Sequence, residues 1–176
     1  MKINRIEGGI CAPEGFLAAG FAAGIKKSNK KDLALIYAKE LCSAAAVFTT
    51  NRFKAAPVLV SMQNIKKGVA QAIIINSGNA NACTGKQGLK DAWDMASKTA
   101  ASLSISKDHV LVASTGIIGR PLPAKKILGG IWAVSRMIKR AGCGDPPEAI
   151  LTTDTRKKDI ALEVNLDKKN SFKIAV

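Results

Sequence analysis

The residues best suited to chemistry lie in Val112-Ala113-Ser114-Thr115-Gly116-Ile117-Ile118-Gly119-Arg120-Pro121-Leu122-Pro123, where an apolar run gives way to small hydroxyl and glycine residues before two prolines. Glycine at 116 and 119 permits positive φ and close approach, so the turn can expose backbone N–H groups. A carbonyl oxygen gaining negative charge can be held there by the Gly116 amide and the Thr115 hydroxyl. The same residues also suit an ordinary strand-to-helix connection, with the prolines presetting the helix start. Three more segments are polar enough to line a site. Asn76-Ser77-Gly78-Asn79-Ala80-Asn81-Ala82-Cys83-Thr84-Gly85 supplies amide donors, acceptors and left-handed turns without charge, or simply a satisfied Asx-turn network. Thr152-Thr153-Asp154-Thr155 sets hydroxyls around one carboxylate, with local capping as the alternative role for Asp154. The loop from Thr49 to Pro57 carries Arg52 and Lys54, which can face a substrate carboxylate or lie in an exposed crossover.

What these segments lack is an attacking group. His109 is the only histidine and stands at the head of the strand-like run His109-Val110-Leu111-Val112, so a nucleophile–base pair has no base to use. Cys11, Cys42, Cys83 and Cys143 are far apart with no Cys-x-x-Cys pair, which argues against zinc and for reduced, mostly buried thiols in a cytoplasmic protein. Cys83 reads as a small buried residue rather than a reactive thiol. No P-loop or Gly-x-Gly-x-x-Gly motif opens a helix. Lys2 and Arg5 precede no convincing signal peptide, and no run approaches the roughly 18 apolar residues that span a bilayer. The net charge of +14 raises nucleic acid as a partner. The cations, however, come as scattered doublets, from Lys26-Lys27 to Lys168-Lys169, without interleaved aromatics. They read as solvated surface that can draw in an anionic substrate, with no nucleic-acid or membrane partner expected.

A chain of 176 residues suits one domain, 1–176, and with 47% hydrophobic but 5% aromatic residues its core must be aliphatic. The echo Ala18-Ala19-Gly20 and Ala22-Ala23-Gly24 marks close backbone packing. Strands are predicted at Leu33–Tyr37, Ala44–Thr49 and Pro57–Met62, with Ala72–Ile75 a central strand buried on both faces. From Gly88 a helix presents Leu89, Ala92, Trp93, Ala96, Ala100 and Leu103 to the core, with Asp91 on its outer face. A second helix follows Pro123, with Ile127, Leu128, Ile131, Trp132 and Ile138 inward, Lys139 and Arg140 at its negative end and Gly142 as its stop. Asp145-Pro146-Pro147-Glu148 has the spacing of a capping box with Asp145 as N-cap. A β-hairpin turns at Asp167-Lys168-Lys169-Asn170. The alternation of strands and helices gives an α/β class.

Four segments in order, Ala44 to Lys54, Asn76 to Gly85, Ala113 to Pro123 and Thr152 to Thr155, make the chain resemble the ornithine acetyltransferase (glutamate N-acetyltransferase) family of arginine biosynthesis over essentially its whole length. That resemblance implies a layered αββα-type sandwich in which this alpha chain is completed by a second, beta chain cut from the same precursor. It implies ping-pong transfer of acetyl from N2-acetylornithine to glutamate through a threonine at the start of the beta chain. Acetyl-CoA is a possible acetyl donor, no other cofactor and no metal are implied, and the chains pair into an alpha-beta hetero-oligomer. Carried over by motif, Thr115 and Gly116 form the oxyanion hole and Thr152 contacts substrate. Asn76, Gly78 and Asn79 support the site. The family's Lys-Gly-Ser-Gly-Met segment and nucleophilic threonine are not among these residues, so the isolated chain is expected to be inactive. The alternative is a non-catalytic basic binding module on the same fold.

Overall fold

Alternation along Val69–Asn79, a central strand of 11 residues, sets the layering. Ala70, Ala72, Ile74 and Asn76 are buried on one face, whereas Gln71, Ile73 and Ile75 on the other are partly exposed. The expectation of burial on both faces therefore fails, because the longer helices pack on the Ile74 face, whereas only a short helix ending at Ala149, whose carbonyl accepts from Ser77 Oγ, meets the other. This computed structural model describes residues 1–167 and 169–176. Its elements are β1 (Lys2–Ile6), β2 (Phe16–Phe21), β3 (Leu33–Ser43), α1 (Ala56–Asn64), β4 (Val69–Asn79) and α2 (Gly85–Leu103), followed by β5 (Val110–Ile117), α3 (Ala124–Ser135), α4 (Asp145–Ala149), β6 (Ala161–Asn165) and β7 (Ser171–Ala175). The main sheet has the order β2-β3-β4-β5. Its first two pairings are antiparallel and β4–β5 is parallel, so α2 serves as the crossover that a parallel pair demands.

The core is aliphatic, as the composition required. Leu33, Leu35, Ile74, Val110 and Val112 from the sheet meet Val60 of α1, Ala92, Met95 and Ala96 of α2, and Ile127, Ile131 and Val134 of α3. The α2 stripe is close to the predicted one, although Asp91 is buried and accepts a 2.7 Å hydrogen bond from Gln87 Nε2. Trp132 is 52% exposed on α3, with the Arg136 guanidinium 4.9 Å from its ring centroid. Helix α3 stops at Ser135, before the predicted end. Lys139 instead exchanges 3.2 Å main-chain hydrogen bonds with Ala18, and Gly142 lies against the Ala18 carbonyl.

Other expectations are corrected. Pro57–Met62 is helical, within α1, and Pro57 occupies the first turn, where a missing N–H costs nothing. An apolar run of this length fits either conformation. The deciding contacts are long-range: Ser61 Oγ donates to the Val112 carbonyl at 2.7 Å and accepts from its amide at 2.8 Å, while Asn64 Nδ2 donates to Val110 O at 2.7 Å. Helix α1 thereby covers the outer edge of β5. Ala44–Thr49 is not a strand but irregular chain, with Val47 99% exposed. Asp145 does not cap α4; its carboxylate accepts from the Gly20 amide at 3.1 Å and from Lys31 Nζ at 2.6 Å. Among the cysteines only Cys11 is buried; Cys42 and Cys143 are partly exposed and Cys83 is exposed.

The hairpin β6–β7 forms as predicted and joins β1, which the sequence pattern did not suggest, in a second sheet of order β1-β6-β7. Lys168, placed by the sequence in the hairpin turn, lies outside the described residues. Among the described residues no helix is long and apolar enough to cross a membrane.

Candidate active site

Because β4 and β5 run parallel, their carboxyl ends deliver two loops to the same edge of the sheet, the usual place for a ligand in such sheets. The register pairs Asn76 with Ser114, Ser77 with Thr115, Gly78 with Gly116 and Asn79 with Ile117. Gly116 has φ 133°, and a Cβ there would sit 2.4 Å from the Gly78 carbonyl carbon and 2.6 Å from the Asn79 nitrogen. Only glycine fits that approach. Asn76 lies buried beneath the turn, accepting from Ser114 Oγ and donating to Asn79 O at 2.8 Å.

Asn79 then ties the two loops together. Its Nδ2 donates to Arg120 O at 3.3 Å and Pro121 O at 3.1 Å, and its Oδ1 accepts from the Asn81 amide at 2.8 Å. Main-chain bonds Ala80 N to Ile117 O (3.0 Å) and Gly119 N to Ala82 O (2.9 Å) complete the seam. Thr115 and Gly116, expected in a turn, lie instead at the carboxyl end of strand β5, paired with Ser77 and Gly78 and held beyond it by the Asn79 seam.

Two cavities meet at this turn. The larger, of about 870 Å³, is lined by Gly78, Asn79, Thr115, Gly116, Arg120 and Thr152 among others. The smaller, of about 390 Å³, includes Ile75, Ala113, Ser114, Thr115, Thr152 and Asp154. Thr115 and Thr152, distant in sequence, thus share the wall between them. Of the other residues singled out by the sequence, Thr153 lines the larger cavity, and Asp154 pairs with Lys158 at 2.8 Å. Arg52 and Lys54 line neither; their loop closes on itself through Asn51, whose carbonyl accepts from Lys54 Nζ at 2.9 Å.

Sequence reasoning missed Asp32 and Lys26. The fully buried Asp32 carboxylate accepts from the amides of Ala23 (2.7 Å), Ile25 (2.6 Å) and Lys26 (2.9 Å), and its carbonyl accepts from Ser77 N at 2.8 Å. Lys26 Nζ donates to the carbonyls of Lys31 and Ala149, both at 3.0 Å, and Ser77 Oγ donates to the same Ala149 carbonyl. This network fixes the chain shortly before Thr152. Burial holds the Lys26 ammonium below the ordinary lysine range, opposed by the nearby Asp32 carboxylate. Lys26 was one cation in a doublet, and nothing local marked it out.

The ArgJ family profile matches residues 17–176. The chain belongs to the ArgJ family. It is 53% identical over 165 residues to the arginine biosynthesis bifunctional protein ArgJ of Caldanaerobacter subterraneus, covering 94% of this chain and 41% of that protein. To ArgJ 1 of Clostridium acetobutylicum it is 49% identical, covering 88% of this chain and 38% of that one. The chain therefore spans about two-fifths of the length of the curated ArgJ relatives it matches. The crystal structure of ArgJ from Bacillus halodurans superimposes with a TM-score of 0.90 at 37% identity, over 99% of this chain and 91% of that one. The ornithine acetyltransferase of Mycobacterium tuberculosis, solved with ornithine, superimposes with a TM-score of 0.91 at 39% identity, over 99% and 93% of the two chains. The mixed α/β fold, with two sheets and four helices among the described residues, is thus that of ArgJ structures.

Proposed function

We propose that this chain is the alpha part of a glutamate N-acetyltransferase that moves acetyl from N2-acetylornithine to glutamate, with the nucleophilic threonine carried by a second polypeptide. In this reading the threonine Oγ attacks the acetyl carbonyl, and the oxyanion accepts hydrogen bonds from the Gly116 amide and the Thr115 hydroxyl. Collapse of the tetrahedral species releases ornithine, and the glutamate amine then takes the acetyl group from the enzyme ester by the reverse sequence. Thr152 contacts substrate from the facing wall, while Asn76, Gly78 and Asn79 hold the turn. Acetyl-CoA is an alternative donor for the first step.

The observation that carries this reading is the wall shared by Thr115 and Thr152 beside Gly116, which lies too close to Gly78 to carry a Cβ. Such rigidity is what an oxyanion hole requires, since donors fixed in advance cost no reorganisation as charge develops. Two further facts support a second polypeptide. Ile73, Ile75, Leu111 and Ala113 leave the second face of the main sheet partly exposed, which suits a covering layer. The solved relatives' chains match this one nearly end to end, whereas the curated ArgJ sequences are more than twice as long.

The test is Thr115→Ala in the enzyme assembled with its second polypeptide. Removal of one oxyanion donor lowers kcat by about 100- to 1,000-fold with an unchanged melting curve. Wild-type turnover in Thr115→Ala removes Thr115 from the oxyanion hole. The 176-residue chain by itself is expected to turn over neither substrate.

A further inference from the structure

The larger cavity carries a charge that the oxyanion turn does not explain. Lys26, Lys27 and Arg120 stand on its wall; among the described residues no carboxylate lines it, Asp32 being fully buried behind Lys26. Among the described residues neither Lys27 nor Arg120 joins any of the ion pairs of the fold. Both segments that bear these cations are fixed: Asn79 holds the Arg120 carbonyl at 3.3 Å, and Asp32 holds the Lys26 amide at 2.9 Å.

Lys26 is further constrained along its side chain. Its stem lies over Gly78, where a Cβ would come within 3.2 Å of Lys26 Cγ, so the missing side chain at 78 admits the lysine beside the Gly78–Gly116 pair. Its ammonium spends two of its three donors on Lys31 O and Ala149 O. That leaves one N–H for a ligand. A concave site with like charges on its wall lowers the energy of an anion there, and the positive end of α3, entered through Pro123 on the same wall, adds to the effect.

We propose that this cavity is an anion-recognition site adjoining the acyl-transfer turn, in which the fixed Lys26 ammonium and the Arg120 guanidinium bind a negatively charged group of the ligand. The inference rests on the acyl-transfer reading and adds to it the part of the wall that selects the ligand. A carboxylate of an amino-acid acceptor and a phosphate of a larger acyl donor share the necessary chemistry, and the planar fork of Arg120 can engage either through two oxygens.

The experiment uses the assembled enzyme with N2-acetylornithine as donor, and compares wild type with Arg120→Gln and Lys26→Met. Arg120→Gln leaves the Lys26 bonds to Ala149 and Lys31 in place, so it separates anion binding from support of the Thr152 segment. Loss of one charge-assisted contact at a rim raises the KM for glutamate about 5-fold or more while kcat stays within about 2-fold. The wild-type KM rises with added salt, and that of Arg120→Gln rises less. If the glutamate KM is unchanged but competitive inhibition by inorganic pyrophosphate weakens by the same factor, the bound group is a phosphate and the anion site stands. If neither constant moves in either variant, the proposal is overturned. Calorimetric titration of glutamate and pyrophosphate needs no turnover, so an assembled enzyme that binds these anions through Arg120 yet transfers no acetyl would sink the acyl-transfer reading alone.

Discussion

Replacing Gly116 by alanine tests whether the turn is held as tightly as its geometry states. The added Cβ meets main-chain atoms of Gly78 and Asn79 at 2.4 and 2.6 Å, neither of which can swing aside as a long side chain would. A φ of 133° adds backbone strain of about 1–3 kcal/mol for any residue with a Cβ. Forcing β4 and β5 apart at their ends adds about 1–3 kcal/mol of overpacking. A loss of about 2–6 kcal/mol is a large share of the roughly 5–15 kcal/mol that holds a typical domain folded, and lowers its melting temperature by roughly 4–24 °C. Because the strain falls on the amide assigned to the oxyanion, kcat in the assembled enzyme drops about 100-fold or more. Two controls separate strain from contact. Gly119→Ala has φ 77° but nothing within 4 Å, so it should show the smaller strain cost alone. Gly129→Ala, in α3 with open space around it, should stabilise the chain by about 0.5–1 kcal/mol. Calorimetric melting and steady-state turnover read all three. If Gly116→Ala melts no lower than Gly119→Ala and turns over normally, the close approach of the two glycines is not what builds the site.

Ser61→Ala removes the hydroxyl that serves both the amide and the carbonyl of Val112, leaving two buried main-chain groups unpaired; urea titration should show a loss of about 2–4 kcal/mol, and a change below about 0.5 kcal/mol would deny α1 its role at the sheet edge. Lys31→Met probes the ion pairs with Asp145 at 2.6 Å and Glu148 at 3.2 Å. Burial alone would raise the Asp145 carboxyl, but hydrogen bonds from Lys31 and the Gly20 amide outweigh it and hold it below the ordinary range, and Lys31 likewise lowers Glu148. Carboxyls depressed in the folded state contribute stability that is complete above their unfolded values near roughly pH 4 and is lost as pH falls through the lower folded values. Lys31→Met should therefore cost about 1–2 kcal/mol at pH 7, most of it through Asp145 since Glu148 is more exposed, and the gap from wild type should close in acid. A gap that persists unchanged at pH 2 would assign the loss to packing of the lysine stem instead.

Much of the chain was legible because its signals are local. The three- and four-residue stripe of α2 and the hairpin β6–β7 each follow from neighbours in sequence, as does the strand character of Val110–Val112. The failures came where a distant partner decides. Pro57–Met62 is apolar enough for a strand, yet the unpaired edge of β5 recruits Ser61 and Asn64 from a helix. Asp145 has cap spacing, yet Lys31 and the Gly20 amide bind its carboxylate.

The candidate site divides in the same way. Residue types alone put a hydroxyl and a flexible amide at Thr115 and Gly116, because acyl-transfer chemistry asks for such donors and the sequence spacing supplies them. That Gly116 must stay glycine follows only from its pairing with Gly78, and that Thr152 faces Thr115 follows only from the bonds of Lys26 and Ser77 to Ala149. Those contacts join segments as many as 123 residues apart, so no window along the sequence contains both partners. Sequence determined which groups were available for the chemistry; the closure of the parallel β4–β5 pair and the buried Asp32–Lys26 network decided where they stand.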